Sequence, residues 1–97
     1  MSLEAITSEF QKRAGETAPL GATLKMKLDD HIIYIDGKGD ENVVSNQDID
    51  AECTITTSLD TFNALQSGDL NPMAAVMNGD VTIEGDMMVA MQLQNLL

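Results

Sequence analysis

The spacing of apolar residues switches between two periods along the chain, and the switches mark its elements. Leu3, Ile6 and Phe10 fall at i, i+3 and i+7, one face of a helix that Ser2 is placed to cap. Gly15 ends this helix, and Pro19 follows beyond the terminus. From Thr23 to Leu28 the period becomes two, with Leu24, Met26 and Leu28 on one face and Thr23, Lys25 and Lys27 on the other. Asp29-Asp30 reads as a turn and Ile32 to Asp36 as a second strand rich in β-branched and aromatic residues. Asp36-Gly37-Lys38-Gly39-Asp40 reads as another turn, Val43-Val44 as a short strand and Ala51 to Thr57 as a fourth. These four strands are expected to form an antiparallel meander.

The second half returns to helical spacing. Ser58 caps a helix carrying Leu59, Phe62 and Leu65, which Gly68 terminates. Asn71-Pro72 is a cap followed by proline at the first helical position, where its missing N–H costs nothing, and Gly79 closes that short helix. Val81 to Glu84 alternates as a fifth strand, and Gly85-Asp86 opens a last helix running toward Leu97. This segment has no charge after Asp86 and is apolar around nearly its whole circumference: Met87, Met88, Val89, Ala90, Met91, Leu93, Leu96 and Leu97. Such a helix is expected to be buried on most sides or to line something apolar. The expected fold class is α+β, a mostly antiparallel five-stranded sheet covered by helices.

Composition narrows this further. Ninety-seven residues make one domain, 1–97, since either half alone is too short to bury a core. Hydrophobic residues make up 43% of the chain, a globular composition despite a net charge of −11. Sixteen acids against five bases, with no basic cluster, exclude a nucleic-acid binder and argue against stable association with anionic membranes. No apolar run approaches the roughly 18 residues of a membrane span. The start lacks a signal-peptide pattern, so export is not expected, and the single Cys53 fits a reducing cytoplasm.

Candidate chemistry is sparse. His31 beside Asp29 and Asp30 suggests a base with an orienting carboxylate, but neighbours at a strand end do not converge, and no second His or Cys has metal-ligand spacing. Cys53 shares a face with Ile55 and reads as core rather than nucleophile. Asp36, Asp40 and Glu41 around Gly37 and Gly39 lack the order of a calcium loop, and Lys38 between glycines is too short a motif for phosphate binding. Asp48, Asp50 and Glu52 alternate as a solvated strand edge would. No enzyme activity, metal or cofactor is expected.

From Ala51-Glu52-Cys53-Thr54-Ile55-Thr56 onward, a longer pattern emerges. It runs through Phe62, Ala64-Leu65, Gly68, Leu70-Asn71-Pro72, Ala75, Gly79, Ile83, Gly85, Met87 and Ala90-Met91-Gln92-Leu93-Gln94-Asn95-Leu96. This string resembles the C-terminal half of the sterol carrier protein type-2 family, without a gap. The resemblance implies a five-stranded, helix-covered sheet around an apolar tunnel that takes up fatty acids, fatty acyl-CoA esters, phospholipids or sterols. Asp69, Asp80 and Thr82 stand where relatives commonly carry lysines, and Val76-Met77 where an aromatic pair is usual. Losing those bases removes contacts to anionic membranes and to CoA phosphates. The ending Asn95-Leu96-Leu97 is not the small-basic-Leu ending of peroxisomal relatives, so a cytoplasmic location is the expectation.

Five of the seven methionines, Met73, Met77, Met87, Met88 and Met91, fall in the segment that the family uses around its tunnel. Methionine suits a wall that must accept varied apolar shapes, and it equally fills irregular gaps in a core with few aromatics. With the resemblance, the expected lipid-binding wall is Phe62, Leu65, Met73, Val76, Met77, Ile83, Met87, Met88 and Met91. On that expectation Met88→Glu abolishes lipid uptake. An empty apolar cavity of about 300 Å³ would cost roughly 7 kcal/mol, comparable with the whole stability of a small domain. The chain is therefore expected to retain a lipid or to collapse its methionine wall when empty. The leading reading is a non-catalytic carrier of one long apolar ligand. The alternative is an accessory module whose apolar C-terminal surface binds a lipid- or isoprenoid-modifying enzyme.

Overall fold

The computed structural model describes residues 3–92. Helix α1 (Leu3–Gly15) leads into strands β1 (Thr23–Leu28), β2 (His31–Asp36), β3 (Val43–Ser45) and β4 (Cys53–Thr57). Helices α2 (Leu59–Ser67) and α3 (Pro72–Met77), strand β5 (Val81–Gly85) and helix α4 (Met87–Gln92) complete the order. The elements expected from periodicity all appear, with ends moved by one or two residues. Ser2, the expected first cap, and Leu93, Leu96 and Leu97 of the last helix lie outside the described residues.

The five strands form one sheet in the order β3-β2-β1-β4-β5. The expected four-strand meander holds only through β3. Strand β4 does not extend it but lies on the far side of β1, parallel to it, with Leu24 opposite Cys53 and Met26 opposite Ile55. The other pairs are antiparallel. Periodicity gives each strand its faces but not its neighbour, and here the neighbour is set by the connection across the sheet.

That connection, residues 46–52, is tied down by polar contacts. Asn46 Nδ2 donates to the Ile32 carbonyl at 2.8 Å and to Thr7 Oγ1 at 2.9 Å. Lys25 Nζ meets Asp48 Oδ1 at 3.0 Å, and the Thr23 N–H donates to Glu52 Oε2 at 2.8 Å while Thr23 Oγ1 accepts from the Glu52 N–H. Asp48 and Glu52 are thus not a free solvated edge. They hold a crossing segment against a sheet face on which Thr23, Lys25 and Tyr34 are buried.

The opposite face is the apolar core. Leu24, Met26, Leu28, Ile33, Ile35, Cys53 and Ile55 are each at most 3% exposed. Over the β2–β3 end lies α1, burying Ile6, Phe10 and Ala14, four residues apart each time. Phe10 stacks on Phe62 of α2 with ring centroids 5.5 Å apart, joining the two helices above the sheet. Asn42, itself buried, fastens the end of α1. Its Nδ2 donates to the carbonyls of Ala14, Thr17 and Ala18, and its Oδ1 accepts the Leu20 N–H at 2.9 Å. Gly37 sits against this knot so closely that a Cβ there would meet Asn42 Oδ1 at 2.5 Å and the Leu20 nitrogen at 2.7 Å. The turn containing Gly37 needs a glycine for close approach.

Candidate functional site

Helices α2, α3 and α4 cover the β4–β5 end of the core face. Their starts are fixed by the side chains that the sequence places there. Ser58 Oγ accepts the Thr61 N–H at 3.1 Å, Asn71 Oδ1 accepts the Met73 and Ala74 N–H groups, and Asp86 Oδ1 accepts the Met88 N–H at 2.9 Å. At the start of α2, Asp29 adds a tie from the β1–β2 turn by accepting the Leu59 N–H through Oδ2. Helix α3 has six residues, less than half the thirteen of α1. Among the described residues, α3 buries only Ala75, and α4 buries only Val89 and Ala90, all small or β-branched.

Between these helices and the sheet lies a cavity of about 170 Å³. Met26 of β1, Ile55 and Thr57 of β4, and Val81 and Ile83 of β5 form its floor. Phe62 and Leu65 of α2 close one side. Pro72, Met73 and Val76 of α3 face Met87, Ala90 and Met91 of α4 around the remaining wall. Met73, Met87 and Met91 are 66%, 55% and 67% exposed, so this wall reaches the surface as a methionine rim.

Among the described residues the lining carries no titratable group and one hydroxyl, Thr57 Oγ1, which donates to the Asp80 carbonyl at 2.9 Å. Cys53 is buried outside the lining. Burial raises its thiol pKa above the ordinary value, and the Asp86 carboxylate adds to the shift, so the thiol stays protonated at neutral pH. His31 at the first position of β2 lies apart from the cavity. Among the described residues no group of three or more His, Cys, Asp or Glu side chains is placed to hold a metal ion. The arrangement can hold apolar matter, and its lining offers no proton donor or acceptor of the kind that general acid–base chemistry uses.

Of the nine wall residues expected from the sequence, Phe62, Leu65, Met73, Val76, Ile83, Met87 and Met91 surround the cavity. Met77 and Met88 do not. They are 83% and 72% exposed and point away from it, so Met88→Glu would place its charge in solvent rather than in the cavity. Of the two alternatives expected for the last helix, burial on most sides or lining something apolar, its described part follows the second: Met87, Ala90 and Met91 line the cavity, and only Val89 and Ala90 are buried. Six lining residues went unnamed in the sequence reading: Met26, Ile55, Thr57, Pro72, Val81 and Ala90. Ile55 and Val81 had a usable signal, since period two puts Val81 on the face of Ile83, and Ile55 on that of Cys53 and Thr57. Met26 had none, because its place in the floor depends on the parallel pairing of β1 with β4.

Comparison with known proteins places these features in a family. Residues 3–97 match the SCP-2 sterol transfer family. Over 60 residues, 62% of this chain, the sequence is 47% identical to human sterol carrier protein 2, and the match spans 11% of that much longer protein. The solution structure of an Aedes aegypti sterol carrier protein in complex with the C16 fatty acid palmitate superposes with a TM-score of 0.72. Identity there is 21%, and the match covers 97% of this chain and 94% of that one. A ubiquinone synthesis protein, UbiJ, superposes with a TM-score of 0.70 at 17% identity, covering 97% of this chain and 90% of that one.

Proposed function

Since the chain belongs to the SCP-2 sterol transfer family, we propose that it is a non-catalytic carrier that binds one long apolar ligand in the cavity under α3 and α4. The observation that carries this reading is the lining itself: thirteen of the described residues, all apolar but Thr57, opening through exposed methionines. The fold neighbour in complex with palmitate adds support, because the same architecture there accommodates a sixteen-carbon chain. A cytoplasmic site of action is part of the proposal, and so is the absence of a reaction.

The cavity is small for such a ligand. An apolar void of about 150 Å³ holds a guest the size of benzene, and ligand pockets start at about 300 Å³. A long chain must therefore displace part of the wall, and methionine, with three rotatable bonds and no branch, moves at low cost. A sealed void of 170 Å³ would cost at most about 4 kcal/mol at about 24 cal/mol per Å³. The ligand-free state is thus affordable without complete collapse. Burying about ten methylenes at about 0.8 kcal/mol each corresponds to roughly micromolar affinity, suited to a cargo that must be released.

The test is displacement of an environment-sensitive alkyl probe, with Met87→Glu and Met88→Glu compared. Met87→Glu is expected to weaken uptake at least about tenfold by placing a carboxylate in the lining, and Met88→Glu to leave it unchanged. Equal effects of the two would sink this placement of the site. Native mass spectrometry of the protein as isolated then reports ligand mass and stoichiometry.

A second reading has its own observation. Met77 and Met88 are exposed on α3 and α4 and are not among the residues lining the cavity, a surface fit for a partner protein. The fold neighbour named as a ubiquinone synthesis protein makes an enzyme of lipid or isoprenoid modification the partner to look for. A lipid-free chain that co-purifies in fixed ratio with such an enzyme would favour it.

A further inference from the structure

Charge is distributed unevenly between the chain's two parts. Residues 1–38 hold all five Lys and Arg and six acids, whereas residues 39–97 hold ten acids and no Lys, Arg or His. Every lining residue of the cavity except Met26 comes from the second part. No Lys, Arg or His is among the described residues that line the cavity. Lys25 and Lys27 point to the opposite face of the sheet, and Lys25 is engaged by Asp48. Arg13 is paired with Glu9 along α1.

Several neutral donors beside the cavity are engaged as well. A helix N-terminus attracts an anion through its free N–H groups. In α3 the Met73 and Ala74 N–H groups are taken by Asn71 Oδ1, and in α4 the Met88 N–H is taken by Asp86 Oδ1, itself a carboxylate. The Thr57 hydroxyl proton is spent on the Asp80 carbonyl. A carboxylate or phosphate at the methionine rim therefore finds no cation and no spare donor among these groups. It meets instead the fields of Asp80 and Asp86, which directly precede the lining residues Val81 and Met87.

Resting on the carrier reading above, we infer that this cavity selects chains whose head group is uncharged or cationic and discriminates against the same chains ending in an anion. The fold neighbour shows that palmitate fits the architecture, so what is set against it here is the charge and not the chain.

The experiment compares hexadecanol, hexadecylamine and palmitate, each below its aggregation threshold at pH 7.5, in displacing one uncharged alkyl probe from the full chain. Hexadecanol and hexadecylamine are expected to bind about tenfold more tightly than palmitate, with the gap shrinking as salt is raised from 0.02 to about 0.5 M, where the Debye length falls below about 5 Å. In Asp80→Lys, palmitate is expected to gain while hexadecanol stays unchanged, since the Asp80 side chain is exposed and outside the lining. Palmitate equal to hexadecanol, or tighter than either partner, overturns the selectivity and leaves the carrier reading standing. If none of the three displaces the probe, the carrier reading fails and the selectivity with it.

Discussion

One continuous sheet face is covered in two different ways. Over β2 and β3 a single thirteen-residue helix presses Ile6, Phe10 and Ala14 into the core, and Asn42 ties its end to the turn. Over β4 and β5, α2, α3 and the described part of α4 span the same kind of surface and leave a hollow rimmed by exposed methionines. The strands beneath do not explain the difference, since Ile55 is as buried as the central strand residues. Side-chain shape does: Ile6 and Phe10 of α1 fill one end, while α3 and the described part of α4 bring only small or β-branched residues into the core of the other and stand flexible methionines at its rim. The filled end supplies stability, and the hollow end keeps a part of that apolar surface available.

Substitutions can break or sharpen this contrast. Phe10→Ala is expected to cost about 3–5 kcal/mol in chemical denaturation, since it empties a buried site and removes the stacking partner of Phe62. Asn42→Ala should cost about 2 kcal/mol by removing the acceptor of the Leu20 N–H and the donor to the Ala18 carbonyl. At the hollow end, Ala90→Phe pushes a ring into existing space, so stability should rise by about 0.5–1 kcal/mol while probe uptake is lost. A destabilised Ala90→Phe variant would mean that no usable space exists there. Met73→Ala, on the exposed rim, should change stability by less than about 0.5 kcal/mol. If it cost as much as Phe10→Ala, the two ends would not differ as described.

The smallest effect is one of pH. Because the folded state raises the Cys53 thiol pKa, its contribution to stability is complete below the ordinary thiol value and declines as pH rises past about 9. Cys53→Ala, less stable at neutral pH, should lack that part of the alkaline decline. An equal loss of stability between pH 8 and pH 10 in the two proteins, read from urea titrations, would contradict it.

How far the sequence anticipates all this depends on the range of the interaction. Caps and alternation are local, so Ser58, Asn71-Pro72 and the face of Leu24, Met26 and Leu28 were legible, along with the helices and strands they bound. Seven residues around the hollow were legible too, chiefly through the family pattern from Ala51 onward. The place of β4 was not, because its partner is chosen by the crossing segment 46–52 and by the Lys25–Asp48 and Thr23–Glu52 contacts, which periodicity does not register. Nor were the idle positions of Met77 and Met88, since a helix that is apolar all round does not reveal which side faces the sheet. Gly37 and Asn42 looked like ordinary turn residues, and only their mutual approach shows why those side chains are needed.

The parallel pairing of β1 with β4 also has a consequence in time. Hairpin β1–β2 and strand β3 close through short turns, but β4 must return across residues 29 positions away before Thr23 meets Glu52. Closing such a loop loses more chain entropy than a tight turn, and contacts of this range come late in folding. The floor under the hollow needs both β1 and β4, so it exists only once that return is complete. A growing chain can thus bury the α1 end early, whereas cargo can be loaded only after the last pairing has formed.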